Sequence, residues 1–399
     1  MKLARPHVVL EKERELEMSC AHACHLWESG QRLAVAEKVC QHRGICATPD
    51  HELTCRLGQK CHRADDAPVH PVVACLREWR KPTRYVNNRF GTYTRGMTRE
   101  DMETYEDRLF DASAKMECLV RSNVTFLVGR PSMGSEVLAA WYVQQERPLP
   151  ASVVRSLASN AGVTTRDEGS AARYARAYAD SLLASDLVVR WDHSRFPAFH
   201  SRPGTHDKID ALLDAVNARS VVITHEALEP VLLATYTGRS WMPSLVGKRV
   251  LVVCGNANEM RRQVLRFQNP GRSLFGGMGT QVLPSGIDFV FAKPPINIAV
   301  HNKDTDWTAS LASLEAKVAS LQFDVALVAC GGIGMLFCAG LKRRGRSCIY
   351  SGGSLQLQFG VRGKRWNSMT EYRILMRSEN WTHARQPPLA HTIEGGAYW

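Results

Sequence analysis

The sequence predicts an α/β protein: a Rossmann-like, mainly parallel sheet with helices on both faces, preceded by a small α-helical N-terminal region. Three observations predict it. From about residue 111 onward, seven short β-rich runs alternate with helical segments, the pattern of a doubly wound sheet. Most of these runs are continuously apolar rather than alternating, which marks strands covered on both faces. Several end directly in glycine, asparagine, histidine or arginine, at the carboxyl ends of strands where such sheets bind ligands. A chain of 399 residues also exceeds what one core usually holds. It divides into a helical, cysteine-rich region (1–80), a linker or cap (81–110) and a Rossmann-type domain (111–399).

In the first region Leu16, Ala23, Leu26, Trp27, Leu33 and Ala36 recur at helical spacing, with Gly30 breaking the run and Pro49-Asp50 marking a turn. A second helix follows through Leu53, Leu57 and Cys61. The order is loosely that of a tetratricopeptide unit, whose period is about 34 residues, and a plain helical hairpin explains the same residues. Either arrangement offers helices to a protein partner. Seven of the 12 cysteines lie here: Cys20, Cys24, Cys40, Cys46, Cys55, Cys61 and Cys75. The leading reading makes them small apolar thiols on helix faces. A disulfide framework and a zinc site are the alternatives, and no C-x2-C pair supports zinc.

Residues 78–110 are polar and rich in Arg, Asn and Thr, and end in a helix from Arg99, where Glu100 and Asp101 favour the N-terminal dipole. Strands are then expected at 124–129, 185–191, 220–225, 249–255, 288–293, 324–330 and 347–352. Helices are expected at about 134–146, 167–184, 206–217, 308–321 and 334–344.

Hydrophobic residues at 44% and charged residues at 23% are ordinary globular composition and exclude collagen, coiled coil and wholesale disorder. A net charge of +12 favours phosphate-bearing partners. No zinc module or recognition-helix pattern accompanies it, so nucleic acid is not expected. The longest uncharged apolar stretch, 325–341, holds four glycines and reads as strand, turn and helix, so no transmembrane segment is expected. The first 20 residues lack a signal-peptide core, which points to the cytoplasm. A longer precursor would make a Golgi or secretory lumen the alternative, and only there would the sequons at Asn123 and Asn380 matter.

The chemistry is expected in the loops after the strands. The strand at 324–330 runs into Gly331-Gly332-Ile333-Gly334 and a helix that carries Lys342. Glycine lets backbone approach a phosphate, and helix-start amides attract anions. The G-G-x-G spacing is not the dinucleotide fingerprint. The next strand ends in Gly352-Gly353, followed by Gln356, Arg365 and Trp366, which suits a pyrophosphate with an aromatic ring to stack on a base or sugar. Arg130 and Glu136 follow the first strand, His225 the third and Asn256 the fourth. Glu136 and His225 are the candidate acid–base residues. On this reading Gly332→Val would abolish ligand binding and spare the fold.

These loops together resemble the bacterial GT-D fold glycosyltransferases of polysaccharide and glycoprotein clusters. The resemblance is carried by EALEP (226–230), SWMPSLVGKRVLVV (240–253), the long block 323–366 and the closing EGGAYW (394–399), and spans about residues 115–399. It implies a Rossmann-like sheet and transfer of a sugar from a nucleotide-diphosphate donor to an acceptor hydroxyl on a glycan or protein. Many members use an acidic D-x-E motif with manganese or magnesium. Here Glu136 matches the second acid and Gly134 stands at the first. The implied cation therefore has Glu136 alone, or its role passes to Arg130, Lys342, Arg343 and Arg365. A degenerate, non-catalytic binding protein is the alternative function, with a Rossmann-type methyltransferase below it.

Overall fold

A computed structural model describes residues 71–78, 99–132, 134–191, 208, 211–212, 214, 221–237, 239–268, 274, 283–295, 306–367, 370–386 and 394–399. The helices, the repeat resemblance and six of the seven clustered cysteines expected in the first 70 residues lie outside these, as does most of the helix expected at 206–217.

All seven expected strands form, each slightly shorter than its apolar run: β1 (Leu127–Gly129), β2 (Leu187–Arg190), β3 (Val221–Thr224), β4 (Arg249–Cys254), β5 (Asp288–Ala292), β6 (Val325–Ala329) and β7 (Ser347–Tyr350). They make one sheet in the order β3-β2-β1-β7-β6-β4-β5, parallel at every pairing. The apolar runs are continuous because successive side chains enter different layers. In β4, Val250 and Val252 join one core layer and Leu251 and Val253 the other, all without solvent exposure. Burying each such side chain contributes about 1.5–3 kcal/mol.

The first layer is built by α2 (Arg99–Arg121), which follows the short α1 (Pro71–Glu78), together with later segments of the chain. The second is built by α3 (Ser135–Gln144), α4 (Ala151–Ala161) and α5 (Glu168–Leu183). Asp167 starts α5 by accepting from the Ser170 amide at 2.6 Å. Farther along, α6 (Pro230–Thr237) and α7 (Ala257–Phe267) return to the first layer, whereas α8 (Trp307–Val318) and α9 (Gly334–Arg343) lie in the second. Burial pushes the α8 cap Asp306 up, but hydrogen bonds from Ser170 and Thr308 outweigh it, so its carboxyl lies below the usual range. A 3₁₀ stretch (Gly352–Phe359), α10 (Thr370–Leu375) and a two-strand ribbon of β8 (Val361–Arg362) and β9 (Thr382–His383) complete the described chain.

Two features depart from expectation. Cys75, one of the seven clustered cysteines, is not a thiol: it is bonded to Cys118 and ties α1 to α2. The helices α4, α6, α7 and α10 were not anticipated, although α4 carries Val153, Leu157 and Ala161 on one buried face. No described helix is long and apolar enough to cross a membrane.

Candidate functional site

Chain direction opens the site. After β4 and β7 the chain turns into the first layer, where Met260 of α7 and Leu355 of the 3₁₀ stretch pack. After β1 and β6 it turns into the second, where Val137 of α3 and Phe337 of α9 pack. In the sheet order β1-β7-β6-β4 the exits therefore alternate. Loops that part to opposite faces leave a crevice beyond the carboxyl ends of the strands. A cavity of about 650 Å³ lies there, within the usual range for small-molecule sites.

Eight of the thirteen expected residues line it: Arg130, Glu136, Asn256, Gly331, Gly352, Gly353, Gln356 and Arg365. Five do not. Gly332 faces the second core layer, where a Cβ would meet Val163 at 2.3 Å, and its carbonyl accepts from the Tyr174 hydroxyl at 2.8 Å. Gly334 packs against the Tyr350 ring. Lys342 lies near the far end of α9, donating to Asp186 at 2.7 Å and to the Ala184 carbonyl at 2.8 Å. Trp366 is buried against Tyr372 and Tyr398. His225 is only 4% exposed and lies under the Trp191 ring, so it is not placed to meet an acceptor hydroxyl in the cavity.

His225 instead belongs to a stack that holds Arg130. The guanidinium lies 4.5 Å from the Trp191 ring centroid, and Trp191 lies over His225 at 5.1 Å with the planes 24° apart. The indole donates to the Pro131 carbonyl at 2.9 Å. Behind it, His225 Nδ1 lies 3.2 Å from Glu226 Oε2, and Tyr105 donates to Glu226 Oε1 at 2.8 Å. Burial pushes nearby Glu229 above the usual carboxylate range, against the pull of His225, the Tyr372 hydroxyl and Arg130.

On its other side Arg130 packs against Gly352. That glycine has φ of +66°, and a Cβ would stand 2.5 Å from Arg130 Nη1. Gly352→Ala should therefore displace the guanidinium and also carry the left-handed backbone strain of about 1–2 kcal/mol. If the cavity takes a phosphate-bearing ligand, Arg130→Ala should weaken its binding by roughly 1.5–3 kcal/mol, the range for a charge-assisted hydrogen bond. If both act through the guanidinium, Gly352→Ala should add little to the binding loss of Arg130→Ala. Titration calorimetry with a nucleoside diphosphate reads this, and fully additive losses would contradict the packing argument.

Glu136 sits in the first turn of α3, accepts from Ser135 Oγ at 3.1 Å and is 9% exposed. Burial first, and then the charge of Glu136, push the hydroxyls of Tyr174 and Tyr178 upward. Tyr350 is raised by burial, by Cys330 and by Glu136. These phenols stay protonated, and Tyr350 donates to the Gly331 carbonyl at 2.9 Å. Burial likewise pushes the cavity thiols up, Cys254 to about 11, which leaves them poor nucleophiles.

The opposite wall comes from the chain end. Arg365 N donates to the Ala397 carbonyl at 2.9 Å, and Arg365 Nη1 donates to the Tyr398 hydroxyl at 2.6 Å. The Tyr398 ring covers Gly353, where a Cβ would meet it at 2.1 Å. Tyr398 and Trp399 line the cavity with Tyr350, Asn160 and Pro294. None of these five was expected from the strand-end loops. The EGGAYW resemblance was the one sequence signal near the tail.

Among the described residues Glu136 is the sole Asp or Glu side chain lining the cavity, and no three His, Cys, Asp or Glu side chains gather as a metal site. That donor set does not fit a cation held by the protein itself. No protein-family model, curated protein or solved structure matches the chain.

Proposed function

We propose that the protein is a glycosyltransferase that takes a sugar from a nucleotide-diphosphate donor and passes it to an acceptor hydroxyl. One observation carries this reading. A cavity of nucleotide-sugar size brings two arginines, Arg130 and Arg365, together with a single buried carboxylate, Glu136. The arginines suit a diphosphate, since guanidinium forks match phosphate oxygens and stay charged.

In the proposed reaction Arg130 and Arg365 bind the diphosphate and offset the charge that grows on it as the sugar–oxygen bond breaks. Preorganisation makes this effective: Trp191 and Gly352 hold Arg130, and Tyr398 holds Arg365. Glu136 takes the proton of the acceptor hydroxyl as its oxygen attacks the sugar carbon. No step is assigned to a metal ion. The resemblance of the strand-end loops to GT-D fold glycosyltransferases supports the same reading.

A second reading has its own support. With Glu136 as the sole Asp or Glu side chain lining the cavity among the described residues, a protein that binds a nucleotide sugar without turning it over fits the same residues. One experiment separates the two. Nucleoside diphosphates and nucleotide sugars at 100 times their dissociation constant should each raise stability by about 2.7 kcal/mol, and release of nucleoside diphosphate from a nucleotide sugar should follow added acceptors. Stabilisation without release across an acceptor panel would favour the binding protein. Absence of stabilisation by every nucleotide would remove both.

A further inference from the structure

We infer that Asn256 and Trp399 form the subsite for the nucleoside half of the ligand, Asn256 Oδ1 accepting a hydrogen bond and the Trp399 ring supplying a stacking face. This rests on the donor-binding reading above and assigns its nucleoside end.

The argument starts with Gln356, which lines the cavity but has no polar atom to spare for a ligand. It is 1% exposed, and its Nε2 donates to the Val361 carbonyl at 3.3 Å and the Tyr398 carbonyl at 3.2 Å. Two carbonyl partners fix which end of the amide is nitrogen, because a carbonyl only accepts. Gln356 Oε1 therefore points the other way and must receive a donor. It receives Asn256 Nδ2 at 2.9 Å. That fixes the second amide in turn: Asn256 Oδ1 is the atom left over. Asn256 is 4% exposed and lines the cavity, and among the described residues no donor meets Oδ1. An acceptor held in one orientation by a buried chain of amides selects a ligand that presents an N–H or O–H there. A phosphate oxygen has none to give, whereas a nucleoside offers ring N–H and ribose hydroxyl groups.

The same chain of bonds leads to the stacking face. Gln356 holds the carbonyl of Tyr398, and the next residue is Trp399. The other aromatic side chains near the site are committed elsewhere, Trp191 between Arg130 and His225. Trp366 is in the core, the Tyr398 ring lies on Gly353 and its hydroxyl accepts from Arg365, and Tyr350 is 7% exposed and donates to Gly331. Trp399 is half-buried, lines the cavity and meets Tyr398 edge-on at 6.1 Å. Its indole N–H donates to no group among the described residues. Its backbone is held by Trp399 N donating to the Gly396 carbonyl at 3.1 Å. Packed on one side against the first core layer and Tyr398, such a fixed tryptophan can offer its remaining face as a platform for a planar base.

The test is calorimetry of the full chain with UDP and with inorganic pyrophosphate. In the wild type UDP should bind more tightly than pyrophosphate. Trp399→Ala should weaken UDP roughly ten- to hundredfold, the range for loss of one aromatic–base stack, and leave pyrophosphate within about twofold. Trp399→Phe should restore most of the UDP affinity. Asn256→Ala should likewise weaken UDP and spare pyrophosphate. Unchanged UDP binding in Trp399→Ala and Asn256→Ala overturns the inference. So does equal weakening of UDP and pyrophosphate, or equal wild-type affinity for the two, and in these cases the diphosphate reading still stands. A wild type that binds neither probe removes both.

Discussion

Gly332→Val should cost the fold about 3 kcal/mol or more and take the cavity with it. Sequence position alone makes the opposite outcome attractive, because a glycine beside Gly331 in a loop after a strand looks like a phosphate contact. A side chain on Gly332, however, would enter the core rather than the cavity. A Cβ there would lie 2.3 Å from Val163 Cγ2, 2.9 Å from the Tyr174 hydroxyl and 3.0 Å from Ala161 Cβ. Those neighbours cannot yield easily. Val163, Ala161 and Tyr174 all belong to the core layer between the sheet and α3, α4 and α5. Overpacking a core typically costs about 1–3 kcal/mol. Valine adds two methyl groups beyond the Cβ, and moving Tyr174 would also break its hydrogen bond to the Gly332 carbonyl, worth about 1 kcal/mol. Urea unfolding of the variant reads this directly. A wild-type midpoint with ligand binding abolished would restore Gly332 to the phosphate loop and contradict the packing.

The contrast shows what the sequence could and could not disclose. The seven strands were legible because each is a short, mainly apolar run, and burial on both faces leaves most of them no alternation to misread, the half-exposed edge strand β5 being the exception. The position of the cavity was legible too, since the strand ends carry Arg130, Asn256, Gly331 and Gly352, and a parallel sheet brings such ends to one edge. The expected residues that lie outside the cavity do so for geometric reasons. Lys342 is eight residues along α9 from Gly334, about 12 Å at 1.5 Å per residue, which carries it toward the opposite edge, where Asp186 waits. Trp366, beside Arg365 in the loop, was expected to offer its ring to a base or sugar. Its burial comes from Tyr372 and from Tyr398, 32 residues away in the chain. Nothing in local spacing joins Tyr398 to Gly353 or Trp191 to Arg130. Such contacts exist only once the layers have packed.

Glu136→Gln should separate binding from chemistry. The substitution keeps the size and planarity of the side chain, and the amide oxygen can still accept from Ser135 Oγ, which meets the carboxylate at 3.1 Å. The variant should therefore fold like the wild type. It loses the negative charge and the basicity. Losing the charge removes a repulsion, because Glu136 shares its cavity with the site proposed for an anionic diphosphate. Nucleoside diphosphate affinity should stay the same or tighten. Losing the base should lower the rate of sugar transfer by roughly 10²- to 10⁴-fold, the usual contribution of a positioned general base, and lower kcat and kcat/KM together. The phenols nearby offer no substitute, since burial holds Tyr174, Tyr178 and Tyr350 protonated. His225 offers none either, being covered by Trp191. Steady-state transfer assays beside calorimetry with the same nucleotide settle the matter. Wild-type turnover in Glu136→Gln would free the carboxylate from the chemistry, and weakened diphosphate binding would show that it holds the donor instead, directly or through a cation supplied with the substrate.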